Sequence, residues 1–178
     1  ARLGQDEILP LSTGVVGAHL KMDLWLDAVP ALVQSLGTRD AEGFTRAFMT
    51  TDAFPKFASR DVTLAGGTVR LTVMAKGAGM ICPNMATMLC VALTDAQVAA
   101  EPWQAMFGRA VSKTFNRVSV DGDTSTNDTI LGLANGASGV AAQGAEDLAL
   151  LEEALTGILG QVSYMLVKDG EGAHKVIH

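Results

Sequence analysis

The chain has 178 residues, room for one domain or two small ones around a buried core. An apolar fraction of 48% against 18% charged residues, with a mean hydropathy of +0.27, excludes a disordered or solvating chain. Thirteen Lys and Arg against nineteen Asp and Glu leave a net charge of −6, which argues against a general nucleic-acid or anionic-membrane footprint while leaving a local basic spot open.

Along the chain, Leu24, Leu26, Val29, Leu32, Val33 and Leu36 recur at helical spacing around Pro30. They predict two short helices or one kinked helix, stopped by Gly37. A further short helix is expected over 41–49. Segments 57–63 and 68–74 alternate apolar and polar residues around Gly66-Gly67 and predict a β-hairpin. A buried strand is expected over 88–93, and a helix over 101–115 carrying Trp103, Met106, Phe107 and Ala110 on one face, with Pro102 in its first turn. Residues 117–120 read as a strand. The strongest periodicity runs over 145–167, where Leu148, Leu151, Leu155, Ile158, Leu159, Val162 and Leu166 form a stripe and Glu146 and Asp147 suit the positive N-terminal end. Residues 173–177 read as the start of a final strand. Strands interspersed with helices predict a mixed α/β domain.

Cys82 and Cys90 are too few for a disulfide framework, and with His19, His174 and His178 they show no zinc-ligand spacing, so no metal or other cofactor is expected. Both thiols lie among Met, Ile and Leu, which predicts buried, inert groups. The uncharged stretches 77–94 and 129–145 are interrupted by Gly, Asn and Thr and read as protein interior, not as membrane spans. No secretory h-region opens the chain, and a reducing, cytoplasmic setting is expected. The abrupt opening ARLGQDEILP, without Met, is expected of part of a longer product.

Three motifs invite chemistry. Lys76-Gly-Ala-Gly lacks the third glycine and the Gly-Lys-Ser/Thr of phosphate loops; its glycines suit tight turns or close backbone approach beside a ligand. The run from Asp121 to Asp128 has Thr126 and Gly132 where a calcium loop needs Gly and Glu, so it reads as a turn of local side-chain-to-backbone bonds at the edge of a polar pocket. Thr87, taken alone, is a core threonine among methionines with a satisfied hydroxyl. Chain cleavage before it would free an α-amine, with a reference pKa near ~8, to act as its base.

The strings STGVVG (12–17), AKGAGMICPNMATML (75–89), VDGDTSTNDT (120–129) and DGEGAHK (169–175) stand in the order of one family's motifs and resemble the ornithine acetyltransferases, glutamate N-acetyltransferases of the cyclic arginine pathway. The resemblance implies a layered sheet-and-helix sandwich, similar in appearance to N-terminal nucleophile hydrolases and incomplete here at both ends. It implies scission between Ala86 and Thr87, giving an α-like segment 1–86 and a β-like segment 87–178 that stay together as one domain and assemble as a hetero-oligomer of cleaved chains. It makes Thr87 the nucleophile and substrate contact. Thr13 and Gly14 would form the oxyanion hole, worth roughly 3 kcal/mol per well-aimed donor. Thr50, with Thr51 adjacent, Lys76 and Glu171 would bind substrate. Without the resemblance, an ordinary salt bridge is the plainer reading of Lys76 and Glu171.

The implied partners are N-acetylornithine and glutamate, with acetyl-CoA a donor for some relatives, and neither nucleic acid nor membrane. Cys82 stands where the family commonly has alanine and His174 where it has threonine. Two rival readings are an amide hydrolase or aminopeptidase using the same nucleophile, and a catalytically silent fragment. Exposed apolar faces at the missing ends would promote self-association.

Overall fold

A computed structural model of the chain describes residues 4, 8–15, 17–37, 40–82 and 88–177. Their contacts divide them into two units, Ala1–Asp40 and Ala41–His178. The first unit contains helix α1 (Met22–Ser35), a single helix that runs through Pro30. The ring of Pro30 offers no N–H to the preceding turn, an omission that water can repair because α1 buries no residue. The helix stops where the Leu36 N–H bonds back to the Val33 carbonyl at 3.3 Å, followed by Gly37 at φ 96°.

In the second unit, α2 (Ala41–Phe48) is followed by the predicted hairpin, β1 (Lys56–Leu64) and β2 (Gly67–Lys76). The antiparallel register pairs Val62 with Val69, Ala58 with Val73 and Lys56 with Ala75. Strand β3 (Leu89–Thr94) pairs antiparallel with β2, setting Lys76 opposite Leu89. Helix α3 (Ala100–Lys113) then makes the crossover that a parallel neighbour requires, and β4 (Thr129–Ala134) pairs parallel with β3, Leu89 opposite Thr129. The sheet order is β1-β2-β3-β4.

The two-residue period sorts the side chains. Ala58, Val62, Val69, Leu71, Val73, Ala75, Cys90 and Ala92 share one face and pack with Leu151, Leu155, Ile158, Leu159, Val162 and Leu166 of α4 (Gly144–Lys168). Burying each Val, Leu or Ile side chain among them contributes about 1.5–3 kcal/mol. Asp147, buried in the first turn of α4, accepts from the Ala65 N–H at 2.9 Å and so ties the helix start to the hairpin turn. Trp103 of α3 donates its indole N–H to the Gly132 carbonyl at 3.1 Å. A Cβ at Gly132 would lie 2.9 Å from the Phe107 ring, so only glycine lets α3 sit this close to β4.

Several expectations need correction. Residues 117–120 are not a strand: a 3-10 turn occupies Phe115–Arg117, and Val120 forms only a bridge to Ile81. Asp121 turns to φ 63° and Gly122 to φ 81°, which ends any extended path. Residues 173–177 remain irregular after the turn at Gly172, with Ile177 94% exposed. Strand β4 occupies part of the uncharged stretch 129–145, which the sequence marks only as interior. Cys90 is buried, its thiol pushed up in pKa by desolvation, but Cys82 is only half-buried. Among the described residues no helix is long and apolar enough to cross a membrane.

Candidate active site

The alternation that turns Ala75 toward α4 turns Lys76 to the opposite face at the end of β2. There it is 2% exposed, and its ammonium donates to Thr50 Oγ1 at 3.0 Å. Thr50, not its neighbour Thr51, is therefore the threonine the fold brings to Lys76. Loss of hydration lowers the Lys76 pKa; the negative charge of Asp52 pulls it back up and Lys56 pushes it further down. Among the described residues Lys76 and Glu171 form no ion pair, so the salt-bridge reading finds no support there.

Behind this pair lies a buried charge cluster. Lys56, on the α4 side of β1, is fully buried and donates to Asp52 Oδ1 at 2.6 Å and to Asp169 Oδ2 at 2.5 Å. Asp52 also accepts from the Gly77 N–H at 2.7 Å and, through Oδ2, from the Thr50 N–H at 3.1 Å. Burial alone would raise the Asp52 pKa, but the Lys56 hydrogen bond and the two backbone donors outweigh it and hold the carboxyl below its usual range. Asp169 closes the cluster by accepting from the Ala53 N–H at 2.9 Å. One lysine and two aspartates thus fix Thr50, the peptide after Lys76 and the segment that leads to Glu171.

Glu171 joins the same end of the sheet: its N–H donates to the Ala78 carbonyl at 2.7 Å. A Cβ on Gly79 would lie 3.3 Å from the Glu171 carboxyl and 3.6 Å from Asp121 Oδ2, so the glycine leaves two carboxylates room at one spot. Asp121 also accepts from the Met80 N–H at 2.7 Å, holding Met80 at φ 51°, a conformation that disfavours side chains. Such a corner can hold an amine, while Lys76 can hold a carboxylate.

At the start of β3, the Met88 N–H donates to Asp128 Oδ1 at 2.8 Å and the Thr129 N–H donates to the Met88 carbonyl at 3.0 Å. Burial raises the Asp128 pKa, and the bond from Met88 partly offsets it. Ala86 and Thr87 lie outside the described residues. Thr13 and Gly14 lie in the first unit, Thr13 half-buried and Gly14 exposed. The structure therefore brings together Thr50, Lys76 and Glu171, with Asp121 and Asp128 from the polar run expected at a pocket edge, and adds Asp52, Lys56 and Asp169, whose roles the sequence does not reveal.

These features define a layered α/β protein with a buried lysine–threonine pair beside a glycine-rich turn. The profile of the ArgJ family matches residues 1–178. Over 171 residues the chain is 64% identical to the arginine biosynthesis bifunctional protein ArgJ of Nitratidesulfovibrio vulgaris, covering 96% of this chain and 43% of that one. The ArgJ of Chlorobium chlorochromatii is 46% identical over 172 residues, covering 97% and 40%. The mitochondrial ArgJ of Aspergillus clavatus is 46% identical over 183 residues, covering 98% and 40%. The chain belongs to the ArgJ family, the ornithine acetyltransferases, and spans about two fifths of the length of these relatives.

Proposed function

We propose that this chain supplies the nucleophile and much of the substrate site of a glutamate N-acetyltransferase that moves acetyl from N-acetylornithine to glutamate in arginine biosynthesis. The observation that carries the reading is the buried Lys76–Thr50 pair, free of a carboxylate partner among the described residues, at the end of the strand that precedes ATML. A desolvated ammonium in that position is suited to a substrate carboxylate, which both amino acids carry.

In this reading the Thr87 hydroxyl attacks the carbonyl of Ala86, and the peptide shifts to an ester on Oγ. Water hydrolyses that ester, leaving a carboxylate on Ala86 and an amine on Thr87. The amine then takes the Oγ proton as Oγ attacks the acetyl carbonyl of N-acetylornithine. Thr13 and the Gly14 N–H stabilise the oxyanion; the C–N bond breaks, and ornithine leaves with the proton. Glutamate's amine attacks the acetyl ester and restores the hydroxyl. Glu171, with Asp121, holds the substrate's side-chain amine. Residues 1–86 and 87–178 would remain together after scission: β2 and β3 share a ladder across the cut, and Lys56 reaches Asp169 across it too. The product is thus a hetero-oligomer of cleaved pieces, working in the cytoplasm.

Incubating the full-length protein with N-acetylornithine, with and without glutamate, tests the reading. Glutamate-dependent N-acetylglutamate formation is expected. Acetate release independent of glutamate would assign an amide hydrolase instead, and no acetyl-Thr87 would leave a silent domain. Replacing N-acetylornithine by acetyl-CoA tests the second donor.

A further inference from the structure

Two lysines and two aspartates meet at this end of the sheet, and their charges are shared unequally. Lys56 spends its donors inside the protein: on Asp52 Oδ1 at 2.6 Å, on Asp169 Oδ2 at 2.5 Å and, more loosely, on the Phe54 carbonyl at 3.5 Å. Lys76, although 2% exposed, donates only to Thr50 Oγ1, at 3.0 Å, among the described residues. An ammonium carries three donors, so two are left over in a place removed from water, where unspent donors are costly. Asp52 is the carboxylate at hand. Its Oδ2 accepts from the N–H of Thr50, which Lys76 holds, and its Oδ1 from the N–H of Gly77, the residue after Lys76. Its charge also raises the proton affinity of Lys76. Yet Asp52 pairs with Lys56 instead, from the opposite face of the sheet.

We propose that Lys56 is a positioning residue that engages Asp52 and so keeps the Lys76 ammonium open to the carboxylate of an incoming amino acid. The proposal rests on the reading of Lys76 as the group that binds that carboxylate. Lys56 stands opposite Ala75 in the β1–β2 ladder, on the side of α4, whereas Lys76 is turned to the other side. Asp52 lies at the sheet end between them, its side chain fully removed from solvent. With the Lys56 cation gone, Asp52 would keep two backbone donors and a charge without a counter-ion. A buried carboxylate in that state takes the next ammonium, which is Lys76. Substrate would then have to displace an internal ion pair, a loss felt in binding and not in the acetyl transfer itself.

The test is steady-state kinetics on the full-length protein, with circular dichroism to establish folding. Lys56→Gln is expected to raise KM for N-acetylornithine and for glutamate by about tenfold, with kcat within about twofold of wild type. Adding Asp52→Asn removes the diverted carboxylate and should bring KM back to within about threefold of wild type. A structural ion pair would behave otherwise, the second substitution adding to the damage of the first. Asp52→Asn alone keeps an oxygen for the Gly77 N–H and should leave KM at or below the wild-type value; this arm stands even where Lys56→Gln alone does not fold. A wild-type KM in Lys56→Gln, a rise that Asp52→Asn fails to reverse, or a tenfold rise in Asp52→Asn alone would overturn the proposal. The parent reading survives each of these as long as Lys76→Met raises KM. A wild-type KM in Lys76→Met would overturn the parent reading and the proposal with it.

Discussion

Asp52 and Lys56, four residues apart, meet at 2.6 Å with both side chains fully removed from solvent, and the same Asp52 oxygen accepts the Gly77 N–H at 2.7 Å. This single carboxylate connects the helix-covered face of the sheet to the turn that follows Lys76 on the other face. The pair is thus placed to hold the backbone beside Lys76, the lysine proposed to bind substrate, in register.

Removing Lys56 should be severe. Lys56→Met leaves Asp52 and Asp169 facing each other without a cation, and the cost expected from breaking a buried ion pair is about 3–5 kcal/mol. Urea denaturation checks it; a loss below about 1 kcal/mol would show that the cluster is not holding the fold.

Acid should act through Asp52. Its folded-state pKa lies below the ordinary value of 3.8, so its contribution to stability is present above that value and lost as pH falls through the lower one. Asp52→Asn is expected to flatten the acid limb of a stability-against-pH curve measured by urea melts. An unchanged limb would assign acid sensitivity elsewhere.

Lys76 titrates in the opposite sense. Desolvation lowers its pKa, so carboxylate binding should weaken as pH rises through a value below the usual lysine range. Lys76→Met should raise KM by about tenfold or more, the equivalent of about 1.4 kcal/mol, while sparing scission at Ala86–Thr87. Steady-state kinetics with intact-mass analysis separates the two; an unaltered KM would remove Lys76 from the substrate site.

The apolar surface of α1 makes a different prediction. Leu24, Leu26, Leu32 and Val33 are each more than half exposed, so the 178-residue chain alone should self-associate. Light scattering should give a mass above the 18.5 kDa of one chain, reduced by Leu24→Lys with Leu32→Lys. A clean monomer of the unsubstituted chain would show these side chains are not adhesive.

The elements that could be read from sequence were those with an unbroken period. The hairpin's alternation around Gly66-Gly67 and the stripe from Leu148 to Leu166 each determine one buried face. Strand β4 escaped because Ile130, Leu131, Gly132 and Leu133 do not alternate, and the glycine that argues against a strand is there to admit Phe107. Val118 and Val120 invited a strand that the left-handed turn at Asp121 cuts short. At the site, Thr50, Lys76 and Glu171 were visible only through motif resemblance, although polar density at 121–128 did point to a pocket edge. Lys56 is invisible in sequence: a charge at the start of a strand that also carries Arg60 and Asp61 looks solvated until Asp52 and Asp169, distant from each other in sequence, converge on it.

The nucleophile is tested most directly by mass analysis of the purified full-length protein after exposure to N-acetylornithine, beside its Thr87→Ala variant. The account predicts two chains, the second opening at Thr87 and carrying an acetyl group that glutamate discharges, and an uncut, inactive variant. A single uncut chain that still transfers acetyl, or a Thr87→Ala protein that matures and turns over, would contradict it.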